Sequence, residues 1–154
     1  MSQPTTLAGL TPREAIADAM YRCVIGLDTA DLPLFESAWS KDSPVLFDMG
    51  TGAMHGLEDI KSKLYNFIAP LDTHHNCSNV RIDAKPGAKT AYLTAYSIAQ
   101  HHRAGEGVDT STKHLTSGAQ YFLDVVEDGD RVWRIKEWRM TVMWLDGDAS
   151  IVGR

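Results

Sequence analysis

Four of the six histidines stand as two adjacent pairs, His74-His75 and His101-His102. Imidazole titrates near neutrality, so it can take and return a proton at physiological pH. Neighbouring residues on a strand face opposite sides, so each pair offers one inward and one outward ring. An imidazole used as a base needs a partner, commonly a carboxylate, that sets its tautomer and stabilises its charged form. Asp28 is a candidate for that partner. It continues the stripe of Met20 and Val24 at helical spacing, which puts an acid on the core side. It also stands at a helix C-terminus, where the dipole disfavours negative charge. Burial and dipole both predict a raised pKa unless a cation or hydrogen bonds compensate. The blander readings are a turn aspartate and structural histidines. A metal site built from His74, His75, Cys77 and His101 fits poorly, because adjacent histidines do not match zinc-ligand spacings.

These side chains need a frame. Thr11-Pro12-Arg13-Glu14 reads as a capping box with proline at the first helical position. The apolar positions Ile16, Ala19, Met20, Cys23, Val24 and Leu27 follow at helical spacing. Asp31 caps a second, short helix, and Gly56 precedes a third that Pro70 closes. Val45-Leu46-Phe47 is a short strand running into a turn at Gly50-Thr51-Gly52. Strands are expected at about 77–84, 89–102, 113–126 and 131–145, the last two joined by a hairpin at Glu127-Asp128-Gly129-Asp130. Helices followed by strands indicate an α+β fold: a cone-shaped, curved antiparallel sheet with three helices enclosing a pocket. Residues 1–10 read as a loose leader, 11–146 as the domain and 147–154 as a C-terminal tail.

Strand parity sorts the candidates. Along 89–102, Ala91, Leu93, Ala95, Ser97, Ala99 and His101 share one face. Small residues there leave room for a ligand, which selects His101 over His102 as the inward ring. The larger face of Tyr92, Tyr96 and Ile98 fits a subunit interface, so a homo-oligomer, dimer or trimer, is expected. In the last strand, Trp133, Ile135 and Arg139 share a parity, which directs Arg139 toward the core side. There it would form a buried ion pair or contact an oxyanion or leaving group. Trp39 and Tyr121 read chiefly as packing. With Cys23 they are assigned to the wall that contacts the substrate.

Composition narrows the rest. The chain has 154 residues, 44% hydrophobic and 23% charged, with net charge −5. That length is one domain with a real core, and the acidic balance argues against a nucleic-acid partner. No apolar run approaches a membrane span. Two cysteines and no secretory pattern point to a reduced, cytoplasmic setting. There is no Walker loop, no dinucleotide fingerprint and no serine-nucleophile elbow.

Two segments taken together resemble a known family. One runs from Ala15-Ile16 to Val24-Ile25-Gly26-Leu27-Asp28; the other is Thr73-His74-His75-Asn76-Cys77-Ser78-Asn79, continuing into Val80-Arg81-Ile82. Gly50, Gly56, Gly118-Ala119-Gln120-Tyr121, Asp124 and Trp133-Arg134-Ile135 with Arg139 stand in the matching order. The chain resembles the SnoaL-like branch of the nuclear transport factor 2-like superfamily over about residues 11–145. Hexachlorocyclohexane dehydrochlorinase and scytalone dehydratase are lyase members. The resemblance implies a cone with a deep pocket and a His–Asp dyad that works without metal or organic cofactor. It places the aspartate on Asp28 and chooses His75 within its pair, and it brings a second histidine near His101. The tyrosine that precedes the aspartate in the dehydratase is Leu27 here. The implied function is a lyase or isomerase, of dehydratase, dehydrochlorinase or polyketide cyclase type, that takes a proton from a small hydrophobic substrate. The alternative is a non-catalytic ligand-binding or assembly module on the same fold.

Overall fold

The computed structural model describes residues 2–153; Met1 and Arg154, the outermost residues of the expected leader and tail, lie outside it. Helix α1 spans Pro12–Asp28 and starts with the expected capping box between Thr11 and Glu14. Its inward stripe includes Ile16, Met20, Cys23 and Val24, all nearly solvent-free. Helix α2, Leu32–Ser37, begins where the Asp31 carboxylate accepts from the Leu34 amide. A third helical stretch opens as Leu57–Ile60, widens into a π-helical turn at Lys61–Tyr65 and ends as Asn66–Ile68.

Six strands form one sheet in the order β2-β1-β6-β5-β4-β3. They are β1 (Leu46–Asp48), β2 (Ala53–His55), β3 (Asp72–Asp83), β4 (Thr90–His102), β5 (His114–Glu127) and β6 (Trp133–Gly147). The expected sheet was wholly antiparallel. The observed one is mixed, because β1 pairs parallel with β6. Strand β2, which the Gly-rich turn concealed, pairs back on β1. Strand β3 begins at Asp72, five residues before the expected start, so both residues of the first histidine pair lie inside it.

Bulges curve this sheet and reset its faces. In β6 one interrupts the register between Asp124 and Val125, where Glu137 and Ile135 are the partners and Lys136 is extra. A second lies between Gly118 and Ala119, where Met143 is extra. Strand β3 carries another between Ser78 and Arg81, with Asn79 in a left-handed conformation at φ 53°.

Helices α1 and α2 approach so closely that a Cβ on Gly26 would fall 2.6 Å from the backbone nitrogen of Phe35. Backbone yields little, so Gly26→Ala should be destabilising despite the gain in helix propensity. The expected loss is about 1–2 kcal/mol, read as a melting temperature lower by several degrees. An unchanged or higher melting point would show that the helices can separate freely.

After β6 the chain makes a 3-10 turn, Ala149–Val152, with Ile151 buried. Arg103 holds this turn by reaching the Ser150 hydroxyl at 3.2 Å. No helix among the described residues is long and apolar enough to cross a membrane.

Candidate active site

Asp28 is the last residue of α1, and its side chain meets the start of β3. Thr73, His75 and Cys77 alternate onto the face that looks at α1, while His74 faces outward and is exposed. The carboxylate is held by three donors. The Thr73 hydroxyl donates to Oδ1 at 2.7 Å, and the His75 backbone N–H donates to Oδ2 at 2.7 Å. The ring Nδ1 of His75 lies 2.6 Å from Oδ1. An ionised acid accepts, so this contact fixes the Nδ1–H tautomer. It leaves the Nε2 lone pair as the basic site.

The hydrogen bonds that would offset a raised pKa at Asp28 are present. Burial does push it up, but the ring, charge and amide of His75, with the Thr73 hydroxyl, together outweigh burial and hold it below the usual carboxylate value. The acid is therefore ionised while 14% exposed, beside a ring that is 10% exposed.

His101 is buried on the inward face of β4, as the small-residue parity predicted. Its ring meets that of His75 edge to face, with centroids 5.4 Å apart. Burial, then the neighbouring His75, pushes its pKa down to about 4. At neutral pH it is an uncharged polar group. Its Nδ1 is buried without a hydrogen-bond partner of normal geometry among the described residues. His102 faces the other way and stacks on His114.

Both histidine rings open on one cavity of about 140 Å³. A dry cavity of about this size admits a single six-membered ring. Most of its wall is apolar: Val24 and Leu27 of α1, Phe47 of β1, Leu64 and Phe67 of the third helix, and Trp138 and Met140 of β6. Cys23 and Tyr121 line it, and Ser117 adds a hydroxyl. Val152 of the C-terminal turn also borders it. Burial raises the Cys23 thiol well above its ordinary value and takes Cys77 up to about 12. Neither cysteine is a thiolate, the form that attacks or binds metals. Among the described residues, no three His, Cys, Asp or Glu side chains gather as a metal site would require.

Two assigned residues lie elsewhere. Trp39 is fully buried against Phe35 and Phe47 and does not line the cavity. Arg139 does not point toward the core side. The bulge at Lys136 reverses the parity of β6, so Trp138 and Met140 turn inward. Arg139 turns outward, with a side chain 57% exposed and paired with Glu137. Arg139→Ala should therefore leave turnover within about twofold and stability within about 0.5 kcal/mol, read by steady-state kinetics and thermal melting. A loss of a hundredfold or more would mean that the arginine reaches the site after all.

The buried cations do structural work instead. Arg22 donates to the Trp133 carbonyl at 2.6 Å and pairs with Asp18. Arg134 pairs with Asp128 and Asp130. Sequence reading also missed Thr73 as a holder of Asp28 and Lys63 on the cavity border. Thr73 could have been found as the residue two before His75 on the same strand face.

A helix-capped, curved α+β sheet with a buried acid–imidazole contact beside an apolar cavity has the nuclear transport factor 2-like fold. The model of the SnoaL-like domain matches residues 8–139, and the chain belongs to that family. It is 38% identical, over the full length of both chains, to "Terrestric acid biosynthesis cluster protein E" of Penicillium crustosum. Two solved structures share the fold. One is hexachlorocyclohexane dehydrochlorinase type 3 of Novosphingobium barchaimii, with TM-score 0.69 and 19% identity, covering 89% of this chain and 90% of that one. The other is a protein from Novosphingobium aromaticivorans named as a scytalone dehydratase, with TM-score 0.70 and 21% identity, covering 87% and 85%.

Proposed function

We propose that the protein is a cofactor-independent lyase or isomerase in which His75 takes a proton from carbon and Asp28 supports it. The observation that carries this reading is the 2.6 Å contact between the Asp28 carboxylate and His75 Nδ1, beside an apolar cavity. In the step, Nε2 of His75 forms a bond to the proton. The electron pair of the C–H bond moves toward the neighbouring carbon. In an elimination it becomes a double bond as the leaving group departs with its own pair. In an isomerisation the proton returns at another carbon. The imidazolium forms next to an ionised carboxylate, so the pair passes from one negative charge to none and no uncompensated positive charge is left in the cavity. His101, uncharged, serves as a polar contact for the leaving group or carbonyl and does not compete for the proton.

Family membership supports a small-molecule role, and the dehydrochlorinase and dehydratase folds are consistent with elimination. The Penicillium relative is named for a biosynthesis cluster, which favours a small organic metabolite as substrate here. The exposed face of Tyr92, Tyr96, Ile98 and Trp144 favours self-association. The test is deuterium exchange at carbon in D2O, followed by NMR over a panel of small cyclic carbon acids. The wild type should exchange at least one of them, and His75→Ala and Asp28→Asn should not. Exchange retained in both variants would overturn the dyad.

A further inference from the structure

The charges around the cavity are lopsided. Among the described residues no carboxylate lines it, because Asp28 lies behind the His75 ring. Among the described residues one cation borders it: Lys63, on the π-helical turn. The other basic groups near the domain interior, Arg22 and Arg134, are locked in buried pairs. Arg139 is on the outer face, and the neighbouring Lys61 is held by Glu36 and Glu58 at 2.8 and 3.0 Å.

Lys63 is placed differently. Its side chain is 60% exposed, so it stands at the rim where the cavity meets solvent. Its Nζ rests 2.6 Å from Oδ1 of Asp59, four residues back. Asp59 is itself anchored, because its Oδ2 accepts from the His55 amide at 3.0 Å. An exposed pair of this kind is weak and readily exchanged. The lysine is thus parked beside the opening with a partner that a ligand anion can replace. In a chain of net charge −5, an acidic ligand is repelled by the surface at large. The Lys63 cation at the mouth gives it a local place to bind and orients its apolar part inward.

We infer that Lys63 receives the anionic group of the substrate at the cavity mouth, which makes the substrate class a small, ring-sized organic acid. This rests on the reading of the cavity as the substrate site. The acid's hydrophobic body then lies among Leu64, Phe67 and Trp138, with its carbon–hydrogen bond toward His75.

The test uses phenylacetate and its neutral isostere phenylacetamide, with binding followed by NMR of the histidine rings in the intact protein at low ionic strength. The wild type should bind the acid about two- to fivefold more tightly, the range of a rim ion pair. Added salt should erode that preference. Lys63→Met should abolish it by weakening the acid alone, with amide binding unchanged. Asp59→Asn, which releases the lysine, should widen it. A wild type with no preference for the acid, or a preference that survives in Lys63→Met, overturns the inference. If both compounds perturb His75 and His101 equally, only the role of Lys63 fails. If neither perturbs those rings, the cavity reading fails and this inference with it.

Discussion

His75→Ala should lower turnover by about 10²–10⁴-fold, the usual worth of a positioned general base. The loss should fall in kcat far more than in KM, because a general base acts on the proton in flight rather than on ground-state binding. Asp28→Asn should cost a comparable amount for a different reason. An asparagine keeps an acceptor for Nδ1–H but removes the charge that stabilises the imidazolium. It also has only one acceptor oxygen for the three donors that Asp28 now satisfies. The double variant should be little worse than either single one, as expected of a base and supporting acid that act as a unit. Thr73→Val, which removes one donor to Asp28 and leaves the ring contact, should cost less than either. Steady-state kinetics of the four proteins checks this order. Additive losses in the double variant would show that Asp28 and His75 do not work together.

Acid should destabilise the fold in a defined window. The folded-state pKa of His101 is down to about 4, whereas an unfolded histidine titrates near 6.5. Between those values the unfolded chain binds the proton and the folded chain does not. Stability therefore falls as pH is lowered through that window. The full effect is on the order of 2–3 kcal/mol, discounted for the ring's contact with the cavity. Asp28 acts in the same direction at lower pH. Its folded pKa is depressed, so its contribution is present above the ordinary carboxylate value and lost as pH falls through the folded one. Urea denaturation at intervals from pH 7 to pH 4 measures the slope, and His101→Gln should flatten it. Equal slopes in wild type and variant would mean that the buried ring is protonated as easily as a free one.

Much of the frame was legible in the residues. The capping box at Thr11–Glu14 and the stripe from Ile16 to Leu27 are local signals, and the helix they describe ends at Asp28 as expected. The small-residue face of β4 is a period-2 pattern, and it correctly turned His101 inward. Strand β3 was harder to see. Its first residues, Asp72-Thr73-His74-His75-Asn76, are polar on both faces, because the inward ones build the site instead of a core. Alternation of apolar and polar residues, the main strand signal, is absent there.

Residue types and spacing were enough to put an acid at the core-side end of α1 and to single out two histidine pairs, since both follow from short-range periodicity. The meeting of Asp28 with His75 required α1 to pack across the start of β3, a contact between residues 47 apart. Hydrogen bonds formed on that approach outweighed burial and decided the direction of the Asp28 pKa, which spacing alone left conditional. The outward turn of Arg139 was likewise set by a bulge, and one extra residue in a strand exchanges the two faces of everything beyond it. Such a residue leaves no periodic trace, because its place is chosen by the register of the neighbouring strand.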